Sequence, residues 1–214
     1  MRIFEKLKKF DASFEVIFAG VDEAGRGPWA GPVVAAAVIL DKNKLASLSG
    51  INDSKKIPEK KRELLFDIVR EACITYAINE ISHSAIDKTD ILKATLLAMA
   101  NAVRALQTTP QLIVVDGISR PPVDGMEIET VIDGDARSLS IAAASILAKV
   151  HRDRIMRNYG VMYPQYGFEK HKGYGTAVHI KALDKYGVCP IHRLSYKPVA
   201  EVVRKHAAQR PERS

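Results

Sequence analysis

The sequence predicts an α/β fold: a mixed β-sheet flanked by helices, followed by a helical carboxy-terminal lobe. Three observations carry this. Two short runs of β-branched and apolar residues, Val16–Val21 and Val33–Leu40, flank a cluster of Gly and Pro and read as strands joined by a loop. Downstream, segments with helical spacing alternate with short apolar runs of strand length. After the last long helical segment the chain becomes rich in Tyr, Gly, His and Lys and then turns to helical patterns alone.

The elements follow in order. Pro58 opens a helix through about Ala72, because its fixed φ suits the first turn, with Leu64, Leu65, Ile68, Val69 and Ala72 on one side. Ile74–Ile81 reads as a strand. Asp90 can cap a helix reaching Leu106, with Ile91, Leu92, Thr95, Leu96, Met99 and Val103 near helical spacing. Leu112–Val115 is a short buried strand that ends on Asp116, and Ile128–Ile132 is another. From Ser138 to about Asn158 runs a long helix whose Ala142, Ala143, Ala144 and Ser145 offer a smooth face for close packing. Two further helices are expected at Ala177–Tyr186 and Val199–Ala208, then a frayed tail, Gln209–Ser214. There is no internal repeat.

A chain of 214 residues suits one domain, or one domain with an appended lobe. No apolar run approaches the roughly 20 residues of a membrane helix. The start is basic, but the apolar stretch Val16–Val21 is too short for an export signal and runs into Asp22 and Glu23, so a cytoplasmic protein with no membrane role is expected. Cys73 and Cys189 are too few for a disulfide framework and are expected to be reduced. The net charge of +7 is unevenly placed: Leu147–Ser214 holds 14 Lys and Arg against 5 Asp and Glu, while Met1–Ile146 holds 18 against 20. A basic lobe beside a mildly acidic body suits a polyanion held on one side and acidic chemistry on the other, although charge alone fits a solvated basic surface equally well.

Carboxylates recur where strands are expected to end. Asp22 and Glu23 follow an apolar strand, and since neighbours on a strand point to opposite faces, they converge only if the strand bends or ends there, which Gly25 permits. Asp116 ends a second strand, and Asp133 and Asp135 flank Gly134 before the long helix. Taken singly, Asp before Gly commonly marks a turn and Asp before a helix commonly caps it. Taken together, acids gathered at one sheet edge are costly, because two carboxylates about 4 Å apart repel by about 4 kcal/mol at an effective dielectric near 20. A divalent cation relieves this, and oxygen ligands without His or Cys favour Mg²⁺ or Mn²⁺ over zinc.

Three loops suit ligand contact. Ala24–Pro32 brings backbone N–H groups close to a ligand. Its Gly25, Gly27 and Ala30 fit a dinucleotide pattern, but Val33–Leu40 reads as a strand where the crossover helix of that motif must begin. Asn52, Ser54, Lys55 and Lys56 offer amide, hydroxyl and ammonium groups before a helix amino terminus, which suits phosphate, or else form a solvated polar loop. Tyr174 stands between two glycines, placed either to stack on a sugar or base or to cap the core. His171, His179, Cys189 and His192 have spacings that fit no zinc-finger pattern.

In order, these pieces resemble bacterial ribonuclease HII, of the type 2 ribonuclease H family. The matching stretches are GVDEAGRGPWAGPVVAAAVIL (Gly20–Leu40), NDSKK (Asn52–Lys56), VDG (Val115–Gly117), GDARSLSIAAASILAKVHRDR (Gly134–Arg154), YPQYGFEKHKGYGT (Tyr163–Thr176) and CPIHRLSYKPV (Cys189–Val199). The resemblance runs from about Val16 to Val203, and DEAGRG with a distant HKGYGT is highly specific. It implies a ribonuclease H-like fold, with residues 1–160 as catalytic domain and 161–214 as a helical lobe contributing to substrate binding, the two forming one structural unit. It also selects among the acids: the catalytic and metal-holding four are Asp22, Glu23, Asp116 and Asp135, and Asp133 lies outside the pattern, an exclusion that spacing alone does not make. Gly25, Arg26, Gly27 and Tyr174 are implied as substrate contacts, and Mn²⁺ or Mg²⁺ as cofactor. Trp29 departs from the pattern, where a smaller aliphatic residue is expected, and Ile118–Met126 fits no motif.

The implied activity is cleavage of the RNA strand of RNA/DNA hybrids and of DNA duplex containing ribonucleotides, 5′ of a single embedded ribonucleotide, leaving 3′-hydroxyl and 5′-phosphate ends. Two alternatives are a non-catalytic hybrid-binding module, which needs no four acids at strand ends, and a general metal-dependent phosphohydrolase, which needs no basic lobe. No glutamine followed by paired aromatics marks the tail for a sliding clamp; a monomer without an obligate protein partner is expected.

Overall fold

The computed structural model describes residues 3–51 and 57–208. The predicted phosphate-binding residues Asn52, Ser54, Lys55 and Lys56 and the tail Gln209–Ser214 lie outside the described residues.

Five strands form one mixed sheet: β1 (Phe18–Ala24), β2 (Val33–Leu40), β3 (Cys73–Ile81), β4 (Leu112–Asp116) and β5 (Glu127–Val131), in the order β3-β2-β1-β4-β5. The β1–β2 and β2–β3 pairs are antiparallel, whereas β1–β4 and β4–β5 are parallel. β2 is buried along its whole length, as its unbroken apolar run requires of a strand covered on both faces. One face packs on α2 (Glu59–Ala72) and α5 (Leu139–Met162), the other on α4 (Ile91–Arg104). The small residues of α5 do what their pattern predicted: Ala142, Ala143, Ala144 and Ser145 are all buried, and a Cβ on Gly20 of β1 would lie 2.3 Å from the α5 backbone at Ser140. That close approach brings the next turns of α5 beside the end of β1.

Several boundaries depart from expectation. β1 begins two residues later and runs three further than its apolar run, because antiparallel pairing with β2 continues through Ala24 opposite Val34, while Val16 and Ile17 are partly solvent-exposed. The buried stripe of α2 is Leu65, Phe66, Val69 and Ala72, which leaves Leu64 68 % exposed. On α4 the buried face is largely alanine, and Leu92 is exposed. Two helices lacked a clear sequence signal, α1 (Ile3–Asp11) and α3 (His83–Lys88). The first ends on a residue that caps another helix. The Asp11 carboxylate accepts from Leu139 N at 3.1 Å, Ser140 N at 2.8 Å and both serine hydroxyls, Ser138 and Ser140, satisfying the otherwise unpaired first turn of α5.

α5 crosses the expected division near residue 160 without a break. Beyond it come α6 (Phe168–His171), α7 (Ala177–Tyr186) and α8 (Lys197–Ala208), around a small core of Met156, Tyr166, Phe168, Leu183 and Ile191. Among the described residues no helix is long and apolar enough to cross a membrane.

Candidate active site

Three of the four expected carboxylates, Asp22, Glu23 and Asp116, border one cleft where β1 and β4 run side by side, and Asp135 is not among the residues that line it. Parallel register pairs Val21 with Val115, so the next residues on the two strands are Asp22 and Asp116. Asp22 is 4 % exposed; Glu23 follows it on the opposite face of the strand, yet both border the same cleft of about 210 Å³. The strand does not stop before the pair, as had been expected. Instead the Glu23 N–H donates to Asp22 Oδ1 at 2.6 Å, and the chain leaves the ladder after Ala24. Asp116 Oδ1 accepts from the Gly134 N–H at 2.6 Å, which ties to β4 the single 3₁₀ turn, Gly134–Ala136, that carries Asp135. Asp135 is buried there, whereas Asp133 is exposed and left-handed at φ 53°.

The electrostatics of this edge are unfavourable to bare carboxylates. Burial pushes the Asp22 carboxyl well above its usual range, and the negative charges of Glu23 and Asp116 push it the same way; hydrogen bonds from Ser145 and from the Glu23 backbone only partly oppose them. Among the described residues no three His, Cys, Asp or Glu side chains already stand as a formed metal site. The donor set nonetheless fits a hard divalent cation: it is all oxygen, and the repulsion that raises Asp22 is what bound positive charge would reverse.

Helix α5 lends the cleft three more groups, Ser145, Lys149 and Arg152. Lys149 and Arg152 carry no motif signal of their own, although spacings of four and three put all three on one helical face. Lys149 Nζ lies 2.6 Å from Asp153 Oδ1, and Asp153 also meets Arg62 on α2 at 3.4 Å. Burial lowers the Lys149 ammonium, against the opposing pull of Asp153.

The other wall is built from the two glycine-flanked loops. Gly25 has φ +100°, and a Cβ there would sit 2.1 Å from Arg152 Nε, so conformation and space both require glycine. A Cβ built on Gly27 would lie 3.6 Å from Tyr174 Cε1, which places the 47 %-exposed Tyr174 ring beside this loop at the cleft. Trp29, the residue that departs from the pattern, lies against Gly175, where a Cβ would come within 2.1 Å of the indole. Its backbone N–H donates to Gly173 O at 2.8 Å, so it joins the two loops.

Buried polar groups hold these loops. Arg152 donates to Pro32 O, Lys172 O and Ala30 O at 2.9–3.1 Å, and burial lowers its pKa to about 10. The Tyr174 carbonyl is reached by a histidine relay. Cys189 N–H donates to His192 Nδ1 at 2.9 Å, which leaves the His192 proton on Nε2, facing His179 Nε2 at 3.0 Å; His179 Nδ1–H then donates to Tyr174 O at 3.0 Å. Burial is the main cause that holds both rings neutral, with pKa values near 4. The histidines set aside for lack of finger spacing are thus close in space and serve as hydrogen-bonding groups.

Comparison with known proteins places this arrangement. The family model described as Ribonuclease HII matches residues 19–199. A Ribonuclease HII of Endomicrobium trichonymphae is 50 % identical over 205 residues, spanning 94 % of this chain and 97 % of that one. Another, from Caldanaerobacter subterraneus subsp. tengcongensis, is 51 % identical over 92 % of this chain and 79 % of its own. Among solved structures, ribonuclease H2 from Pyrococcus horikoshii OT3 superposes with a TM-score of 0.76 at 26 % identity, covering 89 % of this chain and 98 % of that one. An RNase HII from Archaeoglobus fulgidus, solved in complex with PCNA, gives 0.72 at 26 % identity over 85 % of this chain and 95 % of that one. Bst-RNase HIII in complex with Mn²⁺ shares the fold, with a TM-score of 0.75 at 16 % identity over 97 % of this chain and 73 % of that one. Matched along most of its length in sequence and in fold, the chain belongs to the ribonuclease HII family and is a ribonuclease H.

Proposed function

We propose that this chain is a divalent-metal-dependent endonuclease that hydrolyses the RNA strand of RNA/DNA hybrids and cuts 5′ of single ribonucleotides embedded in duplex DNA, leaving 3′-hydroxyl and 5′-phosphate ends. The observation that carries this reading is that one cleft is lined both by the carboxylates Asp22, Glu23 and Asp116 and by Gly25, Arg26, Gly27 and Tyr174. This proximity supports a site in which chemistry and 2′-hydroxyl recognition are neighbours.

Asp22, Glu23, Asp116 and Asp135 would hold Mn²⁺ or Mg²⁺, which supplies an activated water and neutralises charge on the phosphate and the leaving 3′ oxygen. The chain's own part is positional. Backbone groups of Gly25, Arg26 and Gly27 contact the ribose hydroxyl and adjoining phosphate, and a fixed backbone reader loses little entropy on binding. Tyr174 meets the same hydroxyl and packs on the following deoxyribose. Lys149, fixed by Asp153, places positive charge at the cleft wall. Asn52, Ser54, Lys55 and Lys56 contact a flanking phosphate, and the lobe 161–214 follows the duplex backbone. The protein works in the cytoplasm as a monomer.

The test is an end-labelled DNA duplex carrying one ribonucleotide, incubated with Mn²⁺ or Mg²⁺ beside an all-DNA control. A single product ending in a 3′-hydroxyl, one bond 5′ of the ribonucleotide, is expected. Cleavage elsewhere, cleavage of the control, or none at all overturns the reading.

A further inference from the structure

The motif Cys189–Val199 supplies no group to the acidic cleft, yet it contains one of the two fully buried arginines among the described residues. Arg193 is 0 % exposed, and its guanidinium has no carboxylate bonded to it among the described residues. All but one of its hydrogen bonds go to carbonyls of one loop: Nη2 donates to Gly25 O at 2.6 Å, Nη1 to Arg26 O at 3.0 Å, and Nε to Gly31 O at 3.0 Å. The remaining bond reaches the Tyr196 hydroxyl, which itself donates to Arg26 O at 2.6 Å. The turn bearing Arg193 is held by Asp87, whose carboxylate accepts from Leu194 N, Ser195 N and the Ser195 hydroxyl.

The geometry of a peptide gives this clamp a consequence at the cleft. Among the described residues no peptide is cis, and in a trans peptide the C=O and the following N–H point to opposite sides. Carbonyls of Gly25 and Arg26 drawn inward to Arg193 therefore turn the N–H groups of Arg26 and Gly27 outward, on the side where these residues line the cleft. Among the described residues neither N–H donates to a protein acceptor. A cation on the carbonyl end also polarises each peptide and strengthens its N–H as a donor. A buried guanidinium whose hydrogen bonds go only to neutral oxygens, with the Asp87 carboxylate acting on it without a direct bond, is a poor way to gain stability, since a packed apolar side chain does as well or better. Its placement is explained by what it does to the loop.

We propose that Arg193, with Tyr196, is a positioning residue that acts through two peptide planes, aiming the N–H groups of Arg26 and Gly27 at the ribonucleotide's phosphate and hydroxyl oxygens. This rests on the proposed function and assigns a role to a motif which that reading leaves unused.

Two readouts on the full chain test it. In the free protein, the ¹⁵N–¹H resonances of Arg26 and Gly27 report the peptide planes without any substrate. With substrate, KM for the single-ribonucleotide duplex is compared with the inhibition constant of the matching all-DNA duplex, so that the ratio isolates recognition of one hydroxyl and its phosphate. Arg193→Lys keeps the charge and loses the fork, and should lower that preference by about 10-fold or more. Tyr196→Phe should lower it a few-fold, and both should shift the two amide resonances. Folded variants that keep the wild-type ratio, or leave both amides unmoved, overturn the proposal. Should Arg193→Lys fail to fold, Tyr196→Phe decides by the same two criteria. A wild type with no preference for the ribonucleotide refutes the proposed function instead, and the amide shifts then decide the positioning role alone.

Discussion

Replacing Gly25 with alanine tests how the cleft wall is built. At φ +100° an L side chain is strained by about 1–2 kcal/mol. The new Cβ would also lie 2.1 Å from Arg152 Nε, 2.4 Å from its Cδ and 2.9 Å from Pro32 O. Arg152 cannot swing aside, because three carbonyls hold its guanidinium and its side chain is 1 % exposed. Overpacking at such a site costs about 1–3 kcal/mol, so Gly25→Ala should destabilise the fold by about 2–5 kcal/mol, or move the loop and remove most activity. Gly27→Ala is the matched control: its Cβ meets only Tyr174 Cε1 at 3.6 Å, ordinary contact, and its φ is not in the left-handed region. That variant should stay within about 1 kcal/mol of wild type. Urea unfolding of both variants, read beside turnover, makes the comparison. Equal stability with Gly25→Ala fully active would refute the account of Arg152 and Gly25 as a fixed pair.

Three further outcomes are expected. Tyr174→Ala should damage cleavage of a single embedded ribonucleotide more than cleavage within a long RNA strand, and Tyr174→Phe should cost about 0.5–1.5 kcal/mol, a few-fold to about ten-fold in kcat/KM; equal losses on both substrates would reduce Tyr174 to packing. Because the lobe after Leu147 is strongly basic, duplex affinity should fall steeply with salt, by about 10³-fold between 50 and 200 mM if six phosphates are neutralised, whereas a flat salt dependence in binding assays would contradict this. The His179–His192 pair adds a pH dependence: both folded pKa values lie near 4, below the usual 6.5, so the unfolded chain takes up the protons first and stability falls as pH drops from about 6.5 toward 4. One such histidine accounts for about 2 kcal/mol lost at pH 5 relative to pH 7, and urea midpoints equal at the two values would show that the relay tolerates charge.

Much of the fold was legible because its signals are local. The unbroken apolar run of β2, the alanine face of α5 and the capping Asp90 each state their environment in a few residues. The acids were legible as a set of strand ends, but their selection came from the resemblance; what the structure adds is the exposure of Asp133 beside the burial of Asp135. The groups that were missed act over long separations. Asp11 caps a helix some 130 residues away, and Arg193 binds carbonyls more than 160 residues before it, so no window of sequence contains both partners. Lys149 and Arg152 were hidden differently, since on a helix that is buried nearly all round a polar residue carries no periodic signal of the face it serves. The end of β1 was misplaced because cross-strand pairing with β2, rather than apolar character, decides where that strand stops.

The central claim is that four carboxylates at one sheet edge hold the metal that cleaves beside a ribonucleotide. Turnover of a duplex with one ribonucleotide by Asp22→Asn, Glu23→Gln, Asp116→Asn and Asp135→Asn, each checked for an unchanged fold and run with and without a chelator, tests it most directly. Each of the four should lose most turnover, chelation should abolish wild-type cleavage with added Mn²⁺ or Mg²⁺ restoring it, and Asp133→Asn should stay close to wild type. Near-normal cleavage by two of the four, or by wild type in excess chelator, would contradict it.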